Sequence, residues 1–151
     1  MIQSDIKKIV EDLIETFLDA GKISLDLREK GLTKEIKSDN TPVSNGDLEV
    51  NKILIKRISE LTPNIPIVSE ETSENKSRDN LENFWLIDPI DGTYDYINNL
   101  DEFTINAGLI IQKKPAAGLI YAPAKNRMFY SYGDDLSFEL IDGKPIKLDQ
   151  S

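Results

Sequence analysis

The residues best suited to chemistry lie in one short segment, residues 84–93. Its apolar run is too short for a helix and is closed by a proline and a glycine, which predicts a buried strand entering a tight turn. Asp88 and Asp91 stand three apart at the end of that strand, so a turn can direct both carboxylates to one point. Gly92 lets the backbone approach a ligand closely. If Thr93 begins a helical turn, free N–H groups there favour a phosphate held beside a carboxylate-bound cation.

A third carboxylate can join this pair. Residues 65–69 are a short strand candidate that runs into Glu70. A strand parallel to the later one would bring Glu70 beside Asp88 and Asp91. These carboxylates, with the Ile90 carbonyl from the turn, are the hard oxygen ligands that suit Mg²⁺. The alternative is that the acids are ordinary turn formers or solvated surface groups without a ligand.

Asp47 and Thr93 are candidates for orienting a nucleophilic water. A carboxylate that accepts the proton of Thr93 Oγ1 leaves an oxygen lone pair directed at the water, and Asp47 is the candidate partner. The Gly92 and Thr93 N–H groups would hold the phosphate in line, since positioning and electrostatics supply most of the catalysis in phosphoryl transfer. Asp47 also falls in the first turn of a predicted helix, where the helix dipole alone explains a carboxylate.

The composition narrows the chemistry and the partners. The 151 residues, 39% hydrophobic and 30% charged, predict a single globular α+β domain over residues 1–151. Histidine and cysteine are absent, so proton transfer must rely on carboxylates, hydroxyls, lysines or metal-bound water. A net charge of −9 argues against a nucleic-acid polymer as partner. A small phosphorylated substrate could bind only beside cations that neutralise the site.

The sequence also bears on location and assembly. Residues 1–20 carry acids throughout and contain no secretory signal pattern. No apolar run approaches the length of a membrane span, so we expect a cytoplasmic protein without one. A homo-oligomer is compatible with the sequence, which leaves the oligomeric state open.

Two helices are predicted in the first part of the chain. Apolar residues recur at spacings of three and four over residues 4–30, which predicts a long helix with Ser4 as its N-cap and Gly31 just past its end. The polar residues 31–46 predict a loop. A second helical pattern covers residues 47–61 and ends before a proline.

The second half of the chain predicts a sheet. Residues 72–83 are polar and charged and predict a mobile loop or a weakly packed surface helix, and residues 94–99 predict one helical turn. Strand-like runs separated by turn formers follow the central segment, at residues 103–111, 117–121, 128–132, 138–141 and 146–148. Short strands with tight connections predict an antiparallel meander. The expected fold is therefore α+β, with two long helices packed on one face of a largely antiparallel sheet.

Three motifs occur in a fixed order along the chain. They are Thr-Pro-Val-Ser-Asn-Gly-Asp at residues 41–47, Val-Ser-Glu-Glu at 68–71 and Trp-Leu-Ile-Asp-Pro-Ile-Asp-Gly-Thr at 85–93. Together they resemble the inositol monophosphatase superfamily of lithium-sensitive, Mg²⁺-dependent phosphatases, and three ordered motifs are far more specific than one. Further likeness at residues 37–43, 101–106 and 121–128 resembles the bacterial 3′(2′),5′-bisphosphate nucleotidases of that superfamily. The likeness extends from about residue 20 to residue 138.

The resemblance implies a role for each candidate residue. Metal ligation would fall to Glu70, Asp88, Asp91 and, through its carbonyl, Ile90. Activation of water would fall to Asp47 and Thr93. The substrate phosphate would be contacted by Glu70, Ile90, Asp91, Gly92 and Thr93. The implied fold is the first layer of the inositol monophosphatase and fructose-1,6-bisphosphatase architecture, and the implied cofactor is Mg²⁺.

The chain departs from the superfamily pattern in three places. Ser44 and Gly46 replace the usual threonine and alanine before the catalytic aspartate. Tyr-Asp-Tyr at residues 94–96 replaces Lys-Glu-Phe, which bears on substrate choice. Superfamily members continue into a second α/β domain, absent from this chain, that supplies a further aspartate ligand and most groups holding the nucleoside or inositol. We therefore expect a fragment, or a chain completed by a partner, that is weakly active or inactive alone.

The resemblance implies a Mg²⁺-dependent phosphatase domain that hydrolyses a phosphate monoester by means of metal-activated water. The expected substrate is the 3′-phosphate of adenosine 3′,5′-bisphosphate. One alternative is an inositol monophosphatase or another sugar phosphatase. A second alternative is a non-catalytic module that binds Mg²⁺ or a nucleotide.

Overall fold

The computed structural model describes residues 2–71 and 80–148. Two long helices and a seven-stranded sheet make up most of these ranges. In chain order the elements are α1 (Gln3–Lys30), β1 (Lys34–Ile36), β2 (Pro42–Ser44), α2 (Asn45–Leu61), β3 (Ile67–Ser69), β4 (Phe84–Asp91), α3 (Thr93–Ile97), β5 (Thr104–Ile111), β6 (Lys114–Ala122), β7 (Arg127–Ser131), β8 (Ser137–Ile141) and β9 (Lys144–Lys147).

The large sheet follows the order of the chain, from β3 at one edge to β9 at the other. β3 and β4 pair in parallel, and each later strand pairs antiparallel with the one before it. This meander confirms the predicted α+β fold with a largely antiparallel sheet. The predicted strands are found with boundaries shifted by a few residues.

Both long helices pack on the same face of the sheet. Their apolar stripes meet strand residues that alternate inward, so that every second residue of β5 is buried. The largest fully buried side chains include Phe17 and Leu13 of α1, Leu54 and Ile58 of α2, and Trp85, Ile87, Leu109 and Leu119 of the sheet. The core therefore fixes the ends of α2, β3 and β4 relative to one another.

The other face of the sheet bounds an open groove of about 690 Å³. Its floor is mostly apolar and includes Leu86, Ile110 and Phe129. Glu70 and Asp88 lie at one end, so the acidic candidates border this groove.

Two predictions about the first part of the chain are wrong. Ser4 is not the N-cap of α1, because the helix begins at Gln3 and its cap position, Ile2, makes no side-chain cap bond. The predicted loop over residues 31–46 instead contains the antiparallel hairpin of β1 and β2. Its turn is closed by the Lys37 N–H, which donates to the Thr41 carbonyl at 2.8 Å. These strands were missed because they are short and β1 is exposed, so apolar alternation is absent.

The predictions about residues 72–83 and about membrane-spanning helices are tested only for the described residues. Most of the predicted loop or surface helix over residues 72–83 lies outside the described residues. Near its end, Asn83 Oδ1 accepts from the Gln112 N–H at 2.8 Å and ties this segment to the β5–β6 turn. Within residues 2–71 and 80–148, no helix combines the length and apolar character needed to cross a bilayer.

Candidate metal and phosphate site

A bulge in β4 brings Asp88 and Asp91 to one face of the sheet. Residues three apart on a regular strand point to opposite faces, because side chains alternate. Here Asp88 pairs with Asn106 and Asp91 with Thr104, so β4 advances one residue more than β5. Asn106 and Thr104 share a face of β5, and their partners therefore share it too. The extra residue falls beside Pro89, and a bulge is one of the few places in a sheet that tolerate proline.

Glu70 follows β3 and lies beside the end of β4. Ser69 stands opposite Ile87 in the parallel pair, and the Glu70 N–H donates to the Ile87 carbonyl at 3.1 Å. The next residue of β4 is Asp88, which borders the same groove as Glu70. The structure therefore contains the parallel pairing that, on the sequence argument, would bring Glu70 beside Asp88.

Two buried polar side chains hold the turn that carries Glu70 and Glu71. Ser69 Oγ donates to Asn51 Oδ1 at 2.5 Å and accepts from the Glu71 N–H at 3.2 Å. Both Ser69 and Asn51 are buried, so water does not compete for these bonds. Because Asn51 belongs to α2, the helix and the acidic turn are held in a fixed relation.

Asp47 connects the start of α2 to Thr93. Ser44 Oγ accepts from the Asp47 N–H at 3.3 Å, and Asp47 Oδ2 accepts from the Ser44 N–H at 2.9 Å. This reciprocal pair is a capping box, in which the cap stabilises a helix by about 1 kcal/mol. The other oxygen, Asp47 Oδ1, accepts from Thr93 Oγ1 at 2.8 Å. Asp47 therefore caps the helix and partners Thr93 at once, and its role in activating water stays a prediction.

Gly92 shapes the turn between β4 and α3. Its φ of 86° lies in the left-handed region, and a Cβ there would lie 2.9 Å from the Glu102 carbonyl oxygen. Only glycine fits without strain. The turn places the Ile90 carbonyl oxygen 3.1 Å from Thr93 Oγ1, and α3 begins at Thr93 as predicted.

The concentration of acids changes the titration of Asp88. Burial, together with the nearby charges of Asp91, Glu70, Glu71 and Asp47, raises the pKa of Asp88 to about 6. All four neighbours thus lie close enough to repel the Asp88 carboxylate. Such repulsion favours a bound cation, which would relieve it.

Comparison with known proteins places this geometry in a family. Residues 5–150 match the sequence model of the inositol monophosphatase family. The chain belongs to that family. The fold and the order of the three motifs agree with this assignment.

Curated relatives resemble the chain in sequence, and a solved structure resembles it in fold. It is 34% identical over 142 residues to the 3′(2′),5′-bisphosphate nucleotidase CysQ of Aggregatibacter actinomycetemcomitans, covering 93% of this chain and 53% of the relative. It is 36% identical over 122 residues to CysQ of Haemophilus influenzae, covering 80% of this chain and 45% of the relative. An inositol monophosphatase/NADP phosphatase solved with Mg²⁺ and phosphate superposes with a TM-score of 0.74 at 17% identity, covering 91% of this chain and 51% of that one. The chain spans about half the length of the curated relatives it matches.

The acids of this family member suit a divalent cation by their chemistry. The predicted ligands offer carboxylate and carbonyl oxygens, and the raised pKa of Asp88 reflects its burial and the negative charges around it. Within the described ranges, no group of three or more acidic side chains is arranged so that it could hold a metal ion without moving. Like charges that repel one another have no reason to converge without an ion. The assignment of Glu70, Asp88, Ile90 and Asp91 as ligands stays a prediction.

Three residues near the site were not singled out from the sequence. Glu71 is paired with Lys37 at 3.6 Å, and burial raises the pKa of the Glu71 carboxyl while Lys37 opposes that rise. Lys37 lies at the end of the β1–β2 hairpin, which the sequence pattern did not reveal. Asn106 donates from Nδ2 to Asp91 Oδ2 at 3.4 Å, and its buried Oδ1 has no partner within the described residues. Only adjacency to Glu70 could have signalled Glu71.

Replacing Asp88 by asparagine should stabilise the metal-free protein at pH 7. The folded-state pKa of about 6 exceeds the ordinary value of 3.8, so folding takes up protons between these values and stability falls as pH rises through them. Asp88→Asn removes this loss, and we expect a midpoint of thermal unfolding about 3 °C higher at pH 7. Calorimetric scans at pH 5 and pH 7 with a chelator measure the difference, which should shrink at pH 5.

Asp142→Asn is the matched control for this variant. Asp142 is exposed in the turn between β8 and β9, so the substitution makes the same charge change away from the site. An equal gain in both variants would mean that overall charge, and not the local cluster, destabilises the metal-free protein.

Proposed function

We propose that this chain carries the Mg²⁺ and phosphate site of a phosphatase that removes the 3′-phosphate of adenosine 3′,5′-bisphosphate. The observation that carries the proposal is the hydrogen bond from Thr93 Oγ1 to Asp47 Oδ1, at 2.8 Å, next to the acidic end of β4. A capping carboxylate needs no such partner. The bond orients the Thr93 hydroxyl beside acidic side chains whose mutual repulsion favours a bound cation.

The chain's own residues account for the orientation of the water. Thr93 directs its proton to Asp47 Oδ1, so a lone pair of Thr93 Oγ1 is free to accept a hydrogen bond from the attacking water. Asp47 is buried and held by the Ser44 N–H, which fixes the acceptor in place. Bound Mg²⁺ would supply neutralisation of the phosphate oxygens and a lower pKa for a coordinated water.

The choice of substrate rests on the relatives. The two curated relatives described above are named as 3′(2′),5′-bisphosphate nucleotidases and are 34% and 36% identical to this chain. The structural relative solved with Mg²⁺ and phosphate supports a divalent cation and a phosphate ligand for the fold. Because the chain spans about half the length of these relatives, its activity and its substrate have to be measured on the chain itself.

A direct assay compares two substrates with the 151-residue chain, with Mg²⁺ and with a chelator. We expect weak Mg²⁺-dependent phosphate release from adenosine 3′,5′-bisphosphate, with adenosine 5′-monophosphate as the other product. The value of kcat/KM should exceed that for inositol 1-phosphate by at least about tenfold. Calorimetry with Mg²⁺ and each substrate separates binding from turnover.

The other outcomes identify the alternative functions. Faster release from inositol 1-phosphate would indicate an inositol monophosphatase or another sugar phosphatase. Binding of Mg²⁺ and nucleotide without turnover would indicate a non-catalytic module. Neither binding nor turnover would contradict the proposal. The single metal- and phosphate-binding domain, the homo-oligomer and the cytoplasmic location stay predictions.

A further inference from the structure

Gly46 and Tyr96 are in contact, and each lies close in sequence to one partner of the Asp47–Thr93 hydrogen bond. Both residues are buried, and Tyr96 has no exposed surface. A Cβ added at Gly46 would meet the Tyr96 hydroxyl oxygen in a severe clash and would lie 2.6 Å from Cε2 of the ring. The space that a side chain at position 46 would fill is therefore occupied by the tyrosine.

Tyr96 is fixed where it stands by contacts on its other sides. Its hydroxyl donates to the Ser24 carbonyl of α1 at 2.6 Å. Its ring packs on Phe103 with centroids 4.9 Å apart, and the Arg28 guanidinium lies 5.7 Å from the ring centroid. Burial and the charge of Asp47 raise the pKa of the Tyr96 phenol, so the hydroxyl stays protonated and keeps donating to Ser24. The ring cannot retreat without breaking these contacts.

The contact joins the two elements that carry the water-orienting pair. Gly46 immediately precedes Asp47 at the start of α2. Tyr96 lies one helical turn after Thr93 in α3, and its N–H donates to the Gly92 carbonyl at 3.0 Å. We propose that Gly46 and Tyr96 are positioning residues whose contact sets the distance between α2 and α3, and thereby holds Thr93 Oγ1 on Asp47. The catalytic meaning of this arrangement rests on the proposed function.

A methyl group at position 46 would change the distance between α2 and α3. Because Tyr96 is held by Ser24 and Phe103, the strain passes to the start of α2 or to α3, and Asp47 and Thr93 separate. A misplacement of about 1 Å in a positioned group lowers a catalytic rate by up to about a hundredfold. Gly46→Ala should thus lower kcat about tenfold or more. KM and Mg²⁺ affinity should change little, since the predicted metal ligands lie on β3 and β4.

Tyr96→Phe should rescue the alanine variant. Without the hydroxyl, the ring loses the atom in the most severe clash and its tie to Ser24, so the ring can tilt and move Cε2 away from the new methyl group. The double variant Gly46→Ala/Tyr96→Phe should therefore recover most of the kcat and of the thermal stability that Gly46→Ala loses. If Gly46→Ala alone does not fold, the double variant should still fold. A double variant as impaired as the single one contradicts the contact.

Val10→Ala is the control. Val10 is fully buried in α1, about half the length of the helix away from Ser24, so removing its methyl groups leaves a cavity in the core far from Tyr96. It should lower the midpoint of thermal unfolding while leaving kcat within about twofold, because Asp47 and Thr93 do not shift. An equal loss of kcat in Val10→Ala would show that general destabilisation, not positioning, explains Gly46→Ala.

A readout independent of activity separates this inference from the proposed function. The methyl resonance of Thr93 should shift in the spectrum when Asp47→Asn alters its partner, and this response should be lost in the Gly46→Ala background, where the bond is already broken. A preserved response overturns the positioning role, whatever the kinetics. A lost response in a chain that hydrolyses no phosphate ester supports the positioning role and counts against the proposed function.

Discussion

Replacing Asp91 by asparagine is expected to weaken Mg²⁺ binding by about a hundredfold or more. Asp91 is exposed at the end of β4, where the bulge turns it to the same face as Asp88. Asparagine keeps the size of the side chain but removes one full charge and one strong oxygen donor from the predicted site. A hundredfold change corresponds to about 2.8 kcal/mol. Losing a direct ligand should cost at least as much as losing a residue that orients one, for which about ten- to a hundredfold is usual.

Titration calorimetry of the wild-type chain and the variant at pH 7 measures this difference. Asp142→Asn again serves as the control, because it makes the same charge change on the exposed β8–β9 turn and should leave the affinity within about twofold. The fold should survive in Asp91→Asn, since the Asp91 side chain is not part of the core. Unchanged Mg²⁺ affinity in this variant would count decisively against the ligand assignment.

Replacing Thr93 by alanine should leave Mg²⁺ bound and remove most of the turnover. The variant loses the hydroxyl that donates to Asp47 at 2.8 Å and would accept from the attacking water. General acid–base partners contribute about 10²–10⁴ to a rate, so we expect kcat to fall at least about a hundredfold. Because Asp47 is fully buried, losing this donor should also lower the midpoint of thermal unfolding, so kcat is compared at a temperature where both proteins are folded.

Thr93→Ser is the conservative partner in this test. Serine keeps the hydroxyl and removes only the methyl group, so most of the turnover should return. Measuring kcat, KM and Mg²⁺ affinity for both variants assigns the effect to the hydroxyl. Turnover near the wild-type value in Thr93→Ala would mean that the Thr93 and Asp47 roles are wrong.

The parts of the site that were predictable depend on short stretches of sequence. An apolar run followed by Pro89 and Gly92 indicates a strand and a turn, because proline fixes its own φ and glycine permits a positive φ. The left-handed φ of Gly92 follows the same rule. Asp47 at the start of α2 was also foreseeable, since an acid in the first turn of a helix interacts favourably with its dipole. The predicted end of the strand at Asp88 is wrong, because β4 continues through Pro89 to Asp91 and a bulge, not a turn, gathers the two aspartates.

The rest depends on contacts between residues far apart in the sequence. The bulge that gathers Asp88 and Asp91 is set by pairing with β5, which no local pattern encodes. Ser4 is a residue type that favours the N-cap, yet the helix begins one residue before it, at Gln3, because local preference sets a helix end only to within one or two residues. Gly46 and Tyr96 read as two unrelated departures from the family pattern, whereas in space they form one contact. Spatial neighbours of this kind are invisible in a single sequence.

The parallel pairing of β3 with β4 affects the order in which the chain folds. The hairpins from β5 to β9 close short turns and can form within microseconds, whereas residues 70–83 separate β3 from β4. We therefore expect Glu70 to meet Asp88 after these hairpins have formed, and against the repulsion of like charges. Groups that meet after the rate-limiting step influence mainly the unfolding rate. A cation bound there would lower the unfolding rate of the native protein and leave its folding rate unchanged.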